Sequence, residues 1–428
     1  MGYGDKSEIP AEICSLQSPC LAEKNMHTTE LRLVISILLT GFCGCATTPG
    51  APVGRSGGET APVFSVGQVL PAEILQGYNY RLAERVAVQE YHYVFTIQSD
   101  FGEITAQGRP MLGLRLRELK SIEAAKRLGN YQLIVEGILT PLRDTGKGLA
   151  LLINEPFESV ERIPQGLGLM VDQYADPADR QAGAPARRKL AIDLDCDPET
   201  RNPVLKKLLD ELSLYTLGGS LLTGSGMYFL PVAGLGVLPM TAQMKELIVN
   251  SPPSAINSQI DRELESARCE DSSRSRFRYS TAFTTMQRLQ LMEQFRALEG
   301  VRNRAALIEV AAEAHNEAEA LCSIRKGRML ANLRERQSIE RLKSVGLLPL
   351  AVLRNGTHVL ICPYDYVQST REVDDYVDAY RASHPNVETV LVTAGRISPA
   401  VRKRMESVHI RIVEEGTSTG DSGSQPSN

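Results

Sequence analysis

The amino-acid sequence predicts an α+β protein in three parts: an N-terminal mixed α/β region, a central helical region with a helical hairpin, and a small C-terminal ββαβαβ unit. Three observations predict it. Ala87 to Ile97 (AVQEYHYVFTI) concentrates aromatic and β-branched residues, which suit a pleated surface. Thr281 to Leu342 is rich in helix formers with apolar residues at helical spacing. From Leu347 onward, short β-rich runs alternate with capped helical runs, the pattern of parallel crossovers.

The chain has 428 residues, 47 Lys plus Arg against 51 Asp plus Glu, and a net charge of −4. At roughly 100–200 residues per domain, that length makes two or three folded units. A hydrophobic fraction of 43% excludes a disordered chain. The absence of a basic excess argues against phosphate neutralisation and hence a nucleic-acid partner. With no Trp and 5% aromatics, base stacking is a poor fit as well.

In chain order, residues 1–45 read as a signal region. Leu33 to Phe42 (LVISILLTGF) is a ten-residue apolar run behind Arg32. It is too short for a bilayer, which needs roughly 20 residues, and suits the core of an export signal. Cys43-Gly44-Cys45-Ala46 follows. This segment resembles a bacterial lipoprotein signal, in which a Cys after a small residue is acylated and becomes the mature N-terminus. The resemblance implies palmitate-type lipidation at Cys45, with Cys43 as the alternative, and an outer-membrane address facing the periplasm. Asp5, Glu8, Glu12 and Glu23 make residues 1–25 a poor leader, so Met26 is the expected start. The segment 46–68, rich in Pro, Gly, Ser and Thr, reads as a flexible tether.

The mixed region is expected over 69–210. A turn at Ser99-Asp100-Phe101-Gly102 should pair the first strand with a second near Glu103–Gln107. Pro110 opens a helix with Leu112, Leu116, Leu119, Ile122 and Ala125 on one face. Tyr131–Ile138 reads as a strand. His92 alternates into the first strand without a companion nucleophile motif, so it reads as a packed side chain. Asp193-x-Asp195-x-Asp197 hints at calcium, but an EF-hand needs Gly and Glu where Pro198 and Val204 stand. Asp197 is instead expected to cap a helix beginning at Pro198.

The helical region is expected over 211–343. Leu212–Met244 carries no charged residue but several Gly and Pro, which favours buried glycine-rich turns beside a binding groove over a membrane helix. Thr281–Glu299 reads as one helix, and residues 302–342 as a second with an alanine-rich face. Glu309, Glu313 and Glu317 would form a solvated acidic stripe on it.

The α/β unit is expected over 344–414. Asn355-Gly356 should turn Leu347–Leu353 into His358–Cys362. Ser369-Thr370-Arg371-Glu372 reads as a capping box. Glu388–Thr393 and His409–Val413 read as strands, with a helix opening at Ser398-Pro399 between them. Residues 415–428 read as a disordered tail.

Ligands of such sheets sit beyond the strands' carboxyl ends. Asp365, Gly395, Arg396 and Ser398 are therefore the candidate ligand or anion site: a carboxylate, a close-approach glycine, a charged fork and a helix cap. Cys196, Cys269, Cys322 and Cys362 are candidates for disulfide pairing in an oxidising compartment. No spacing points to a metal or a cofactor. The function expected is a lipid-anchored periplasmic protein of binding or scaffolding type, with the bilayer and an envelope protein as partners. An enzyme acting at the C-terminal strand ends is the first alternative. A membrane-inserting protein using Leu212–Met244 is the second.

Overall fold

The architecture is α+β, and the computed structural model describes residues 59–126, 177–216, 235, 239–346 and 348–415. Regular structure begins at β1 (Val63–Ser65) and helix α1 (Val66–Val69), inside the segment expected to be tether. β2 (Tyr80–Leu82), β3 (Arg85–Gln89), β4 (His92–Ser99) and β5 (Gly102–Gln107) complete an antiparallel sheet in which β2 and β3 share one edge of β4 and β5 takes the other. The stretch expected to be one strand over Ala87–Ile97 is thus a hairpin. It turns at Glu90-Tyr91, whose φ values are 50° and 65°. Two left-handed residues define the turn that matches strand twist, a place where Asn-Gly is the usual sequence. Tertiary bonds hold it: Tyr91 O accepts from Asp365 N and Tyr366 N at 3.1 and 3.0 Å.

Helix α2 (Arg109–Lys126) packs on this sheet through the expected face of Leu112, Leu116, Leu119, Ile122 and Ala125, all buried. α3 (Pro177–Asp193) and α4 (Pro203–Thr216) join the same core. The helix expected at Pro198 starts five residues later. Asn202 Oδ1 accepts from Val204 N and Leu205 N at 3.1 and 3.2 Å, so Asn202-Pro203 plays the part assigned to Asp197-Pro198. Asp197 instead closes a local turn onto Glu199 N at 2.8 Å.

The second core is helical: α5 (Ala242–Asn250), α6 (Pro253–Ser266), α7 (Asp271–Tyr279) and α8 (Thr285–Ala297), the last capped by Thr284 with Gln287 reaching back. The single helix expected over 302–342 is three elements, α9 (Ala306–Ala311), α10 (Glu317–Arg336) and strand β6 (Ile339–Val345). Asn316 breaks it by capping α10, accepting from Glu319 N at 3.0 Å. Pairing with β7 then overrides the helix propensity of residues 339–345. The acidic stripe is broken with it, and Glu317 is buried. The expected close helix packing is between α8 and α10, where a Cβ on Gly327 would lie 2.9 Å from Gln294 Cβ.

The C-terminal unit keeps the expected order of strands and helices, but β6, from the stretch expected to be helix, adds a strand to its sheet. β7 (Leu348–Leu353) turns at Asn355-Gly356 into β8 (His358–Cys362), with Gly356 at φ +86°. After the short β9 (Tyr366–Val367), α11 (Arg371–Ser383) crosses to β10 (Thr389–Thr393), parallel to β8. Past β11 (Arg396–Ile397), α12 (Pro399–Ser407) crosses to β12 (Ile410–Glu414), parallel to β10. The sheet order is β12-β10-β8-β7-β6. Both faces are covered, as parallel strands require. Leu350, Val352 and Leu360 meet Val377, Tyr380 and Val401, while Ala351, Leu353, Val359 and Ile361 join the helical core. The cap of α11 is Thr370, one residue past the expected Ser369.

The described residues form one compact unit holding all three cores. Cys196, Cys269, Cys322 and Cys362 are buried free thiols rather than bridged ones. Cys196, Cys269 and Cys362 each belong to a different core, so close packing keeps them apart. The signal region, Cys43 and Cys45, the strand expected at Tyr131–Ile138, most of Leu212–Met244 and the C-terminal tail lie outside the described residues. Among the described residues, no helix is long and apolar enough to cross a membrane.

Candidate functional site

Parallel pairing of β8 and β10 delivers their carboxyl ends to one sheet edge, and the chain then zips them further. Ala394 N donates to Cys362 O and Arg396 N to Asp365 O, each at 2.9 Å, and β9 pairs with β11 in parallel. Gly395 is required there, because a Cβ would lie 2.1 Å from Asp365 O. The edge thus gathers Asp365, Gly395, Arg396 and Ser398, the four residues nominated from sequence.

Each has an internal partner. Ser398 Oγ accepts from Val401 N at 3.3 Å and caps α12. Arg396 Nη2 donates to Gln68 O at 2.7 Å. Asp365 is wholly buried. Its Oδ1 accepts from Arg325 Nη1 at 2.9 Å, and its Oδ2 accepts from Arg109 N at 3.1 Å and Tyr93 N at 3.3 Å. Burial opposes its charge, but the neighbouring His92, Arg325 and Arg109 hold its carboxyl well below the usual carboxylate range. A buried carboxylate that accepts from two backbone amides and a guanidinium stays ionised. It fastens the N-terminal sheet, α2 and α10 to the C-terminal strand ends.

Two further side chains stand at this junction. His92 begins β4, and its Nδ1 lies 3.6 Å from Asp365 Oδ2, an ion-pair distance rather than a hydrogen bond. Burial pulls the imidazole pKa down, yet Asp365 and Cys322 together push it up to about 10. Cys322 sits in the second turn of α10. Burial pushes its thiol up, but Lys326, His92 and Arg325 outweigh this and hold it below its ordinary value. His92, Cys322 and Arg325 line a shallow depression with Gly108, Pro110 and Pro363 in its walls, too tight to enclose a water molecule. Gly108 has φ +89°, and a Cβ on it would come within 3.1 Å of His92 Nδ1. The Tyr364 ring packs edge-on to the imidazole at 5.3 Å between centroids.

Sequence reasoning placed Asp365 at the site and missed His92, Cys322 and Arg325. They come from a strand and a helix remote in the chain, and no spacing rule links them. The strand alternation that turns His92 inward was the one local signal.

A second buried polar cluster lies between α2, α8 and α10. Arg115 pairs with Glu118 at 2.9 Å and with Glu317. Thr200 Oγ1 donates to Glu118 at 2.6 Å, and Gln287 Nε2 to Glu317 at 3.3 Å. Asp197, bonded to Thr284, lies close by. Burial, outweighing its hydrogen bonds to Thr284 and Glu199 N, pushes its carboxyl up to about 7. No group of three or more His, Cys, Asp and Glu among the described residues could hold a metal ion. No family model matches the chain, and no curated protein or solved structure matches it either.

Proposed function

We propose that this chain is a lipid-anchored protein of the cell envelope, acylated at Cys45, whose body serves a binding or scaffolding role. The anchor rests on Leu33–Phe42, the small Gly44 before Cys45, and the polar stretch that separates them from the body. The observation that favours a scaffold over catalysis at Asp365 and Arg396 is the use made of those groups. Asp365, Arg396 and Ser398 all bond to the protein itself, so the strand ends where α/β enzymes keep their ligands act here as a structural joint. Metabolic labelling with a fatty-acid analogue tests the anchor: the unsubstituted chain should take up label and Cys45→Ser should not. Label retained in Cys45→Ser and lost in Cys43→Ser moves the anchor two residues; label retained in both removes it.

A further inference from the structure

The two edges of the C-terminal sheet are finished differently. At β6 the ladder is irregular between Ile339 and Arg341, and the chain before α9 seals the outer side. Arg302 N donates to Glu340 O at 3.1 Å, and Arg302 O accepts from Leu342 N at 2.9 Å. Asn303 Nδ2 adds a bond to Leu342 O at 3.1 Å. An edge covered in this way is closed to further strands. β12, at the other end of the sheet, runs in unbroken parallel register with β10 from Ile410 to Glu414. Among the described residues, no backbone group pairs with its outer side.

The orientation of that open edge follows from one bond. Glu415 N donates to Thr393 O at 2.7 Å. Backbone polar groups of successive residues point to opposite sides of a strand, so Arg411 and Val413 also turn theirs to β10. Ile410, Ile412 and Glu414 therefore turn theirs outward. Side chains alternate between the faces in the same way. Ile410 and Ile412 pack toward α12. Arg411, Val413 and Glu415 share the other face, where Glu415 Oε1 accepts from Asn332 Nδ2 of α10 at 3.4 Å. Arg411 and Val413 are exposed. Glu414 is paired with Arg402, whereas neither Arg411 nor Glu415 has an ion-pair partner among the described residues.

We propose that β12 pairs antiparallel with β12 of a second copy of this chain, about a two-fold axis through Val413. An axis normal to the sheet keeps the faces matched, so the register can shift only in whole steps of the pleat. Centring on Arg411 would set two arginines opposite each other, and centring on Ile412 would set Arg411 against Val413. Centring on Val413 sets it against its own copy and places Arg411 opposite Glu415 of the second copy, twice. Ile412 and Glu414, whose N–H and C=O groups point outward, then stand opposite each other and exchange both bonds at each end of the contact. Charge, apolar contact and backbone bonding agree on this one arrangement. One strand edge is a small interface, so the dimer is expected to be weak and reversible. The inference does not depend on acylation at Cys45.

Sedimentation velocity on the full chain tests it. The unsubstituted chain should pass from monomer to dimer between about 1 and 200 µM. Arg411→Glu and Glu415→Arg should each weaken the dimer at least about tenfold, since two attractions become two repulsions. The double reversal should restore it to within about threefold of the unsubstituted chain. A chain that stays monomeric throughout overturns the proposal and leaves the edge to a strand from another protein. A dimer indifferent to both single reversals overturns it too, because its contact then lies elsewhere or in acyl chains. Failure of the double reversal to restore the dimer overturns the pairing of Arg411 with Glu415. If Arg411→Glu does not fold, Glu415→Arg alone decides by the same criterion.

Discussion

The two buried polar clusters of this protein each pair arginine with carboxylate, and they carry opposite surplus charge. Around Arg115, one guanidinium serves two carboxylates, Glu118 and Glu317, and all four carboxylate oxygens have partners. Around Asp365, one carboxylate serves Arg325, His92 and two backbone amides. The surplus sign shows up in the neighbours. Beside the acidic cluster, Asp197 keeps its proton to about pH 7. Beside the cationic one, the Cys322 thiol is drawn below its ordinary pKa. Burial raises both groups; the carboxylates add to that effect at Asp197, whereas the cations outweigh it at Cys322.

The largest effect should come from removing the single cation of the acidic cluster. Arg115→Met leaves Glu118 and Glu317 buried without a counter-charge, and should cost about 3–5 kcal/mol, read from the urea midpoint. A loss below about 1 kcal/mol would mean that the two carboxylates protonate cheaply and that the cluster is not charged.

Asp365→Asn comes next. It keeps an oxygen acceptor but loses the charge facing Arg325 and His92, and the expected loss is about 2–3 kcal/mol. The same variant should let the His92 pKa fall, measurable by NMR titration of the imidazole. Stability lost with the His92 titration unmoved would separate the joint from the electrostatics claimed for it.

Asp197 gives a smaller, pH-dependent effect. Its folded pKa is about 7, above the unfolded value near 3.9. The native state thus holds a proton that the unfolded chain releases between those limits. Stability from this residue is complete below about pH 4 and declines as pH rises toward 7, by about 1–3 kcal/mol. Urea midpoints taken across that range should slope downward, and Asp197→Asn should flatten the slope. A slope shared by both chains would assign it to other groups.

The smallest effect is at Arg396. Its guanidinium is exposed and meets one carbonyl, Gln68 O. Water can replace it there, so Arg396→Ala should change the melting temperature by no more than about 0.5 kcal/mol implies. A larger loss would mean that water does not replace the bond to Gln68 O.

The C-terminal unit was legible because its signals are local. Asn355-Gly356 accepts the positive φ of its turn, Ser398-Pro399 caps and opens a helix, and the strands are short and β-branched. The Glu90-Tyr91 turn was not legible, since neither residue advertises a left-handed backbone; contacts with Asp365 and Tyr366 hold it there. Ile339–Val345 was misread for the same reason. Glu340, Arg341 and Leu342 favour helix on their own and become strand because β7 offers its edge. At the candidate site, the strand-end rule found Asp365, while His92 and Cys322 arrive through packing alone.

The hairpin turn also sets an order of assembly. Tyr91 O waits for the amides of Asp365 and Tyr366, and Tyr93 N for the Asp365 carboxylate, across a separation of 272 residues. During synthesis the N-terminal sheet emerges first, with that corner unfinished. At roughly 5–20 residues per second, it must stay open for on the order of tens of seconds before its closing partner exists. Contacts so distant in sequence slow folding and prolong the exposure of unpaired edges. A chain released before residue 365 should therefore be the aggregation-prone form of this protein, however well its early strands pair among themselves.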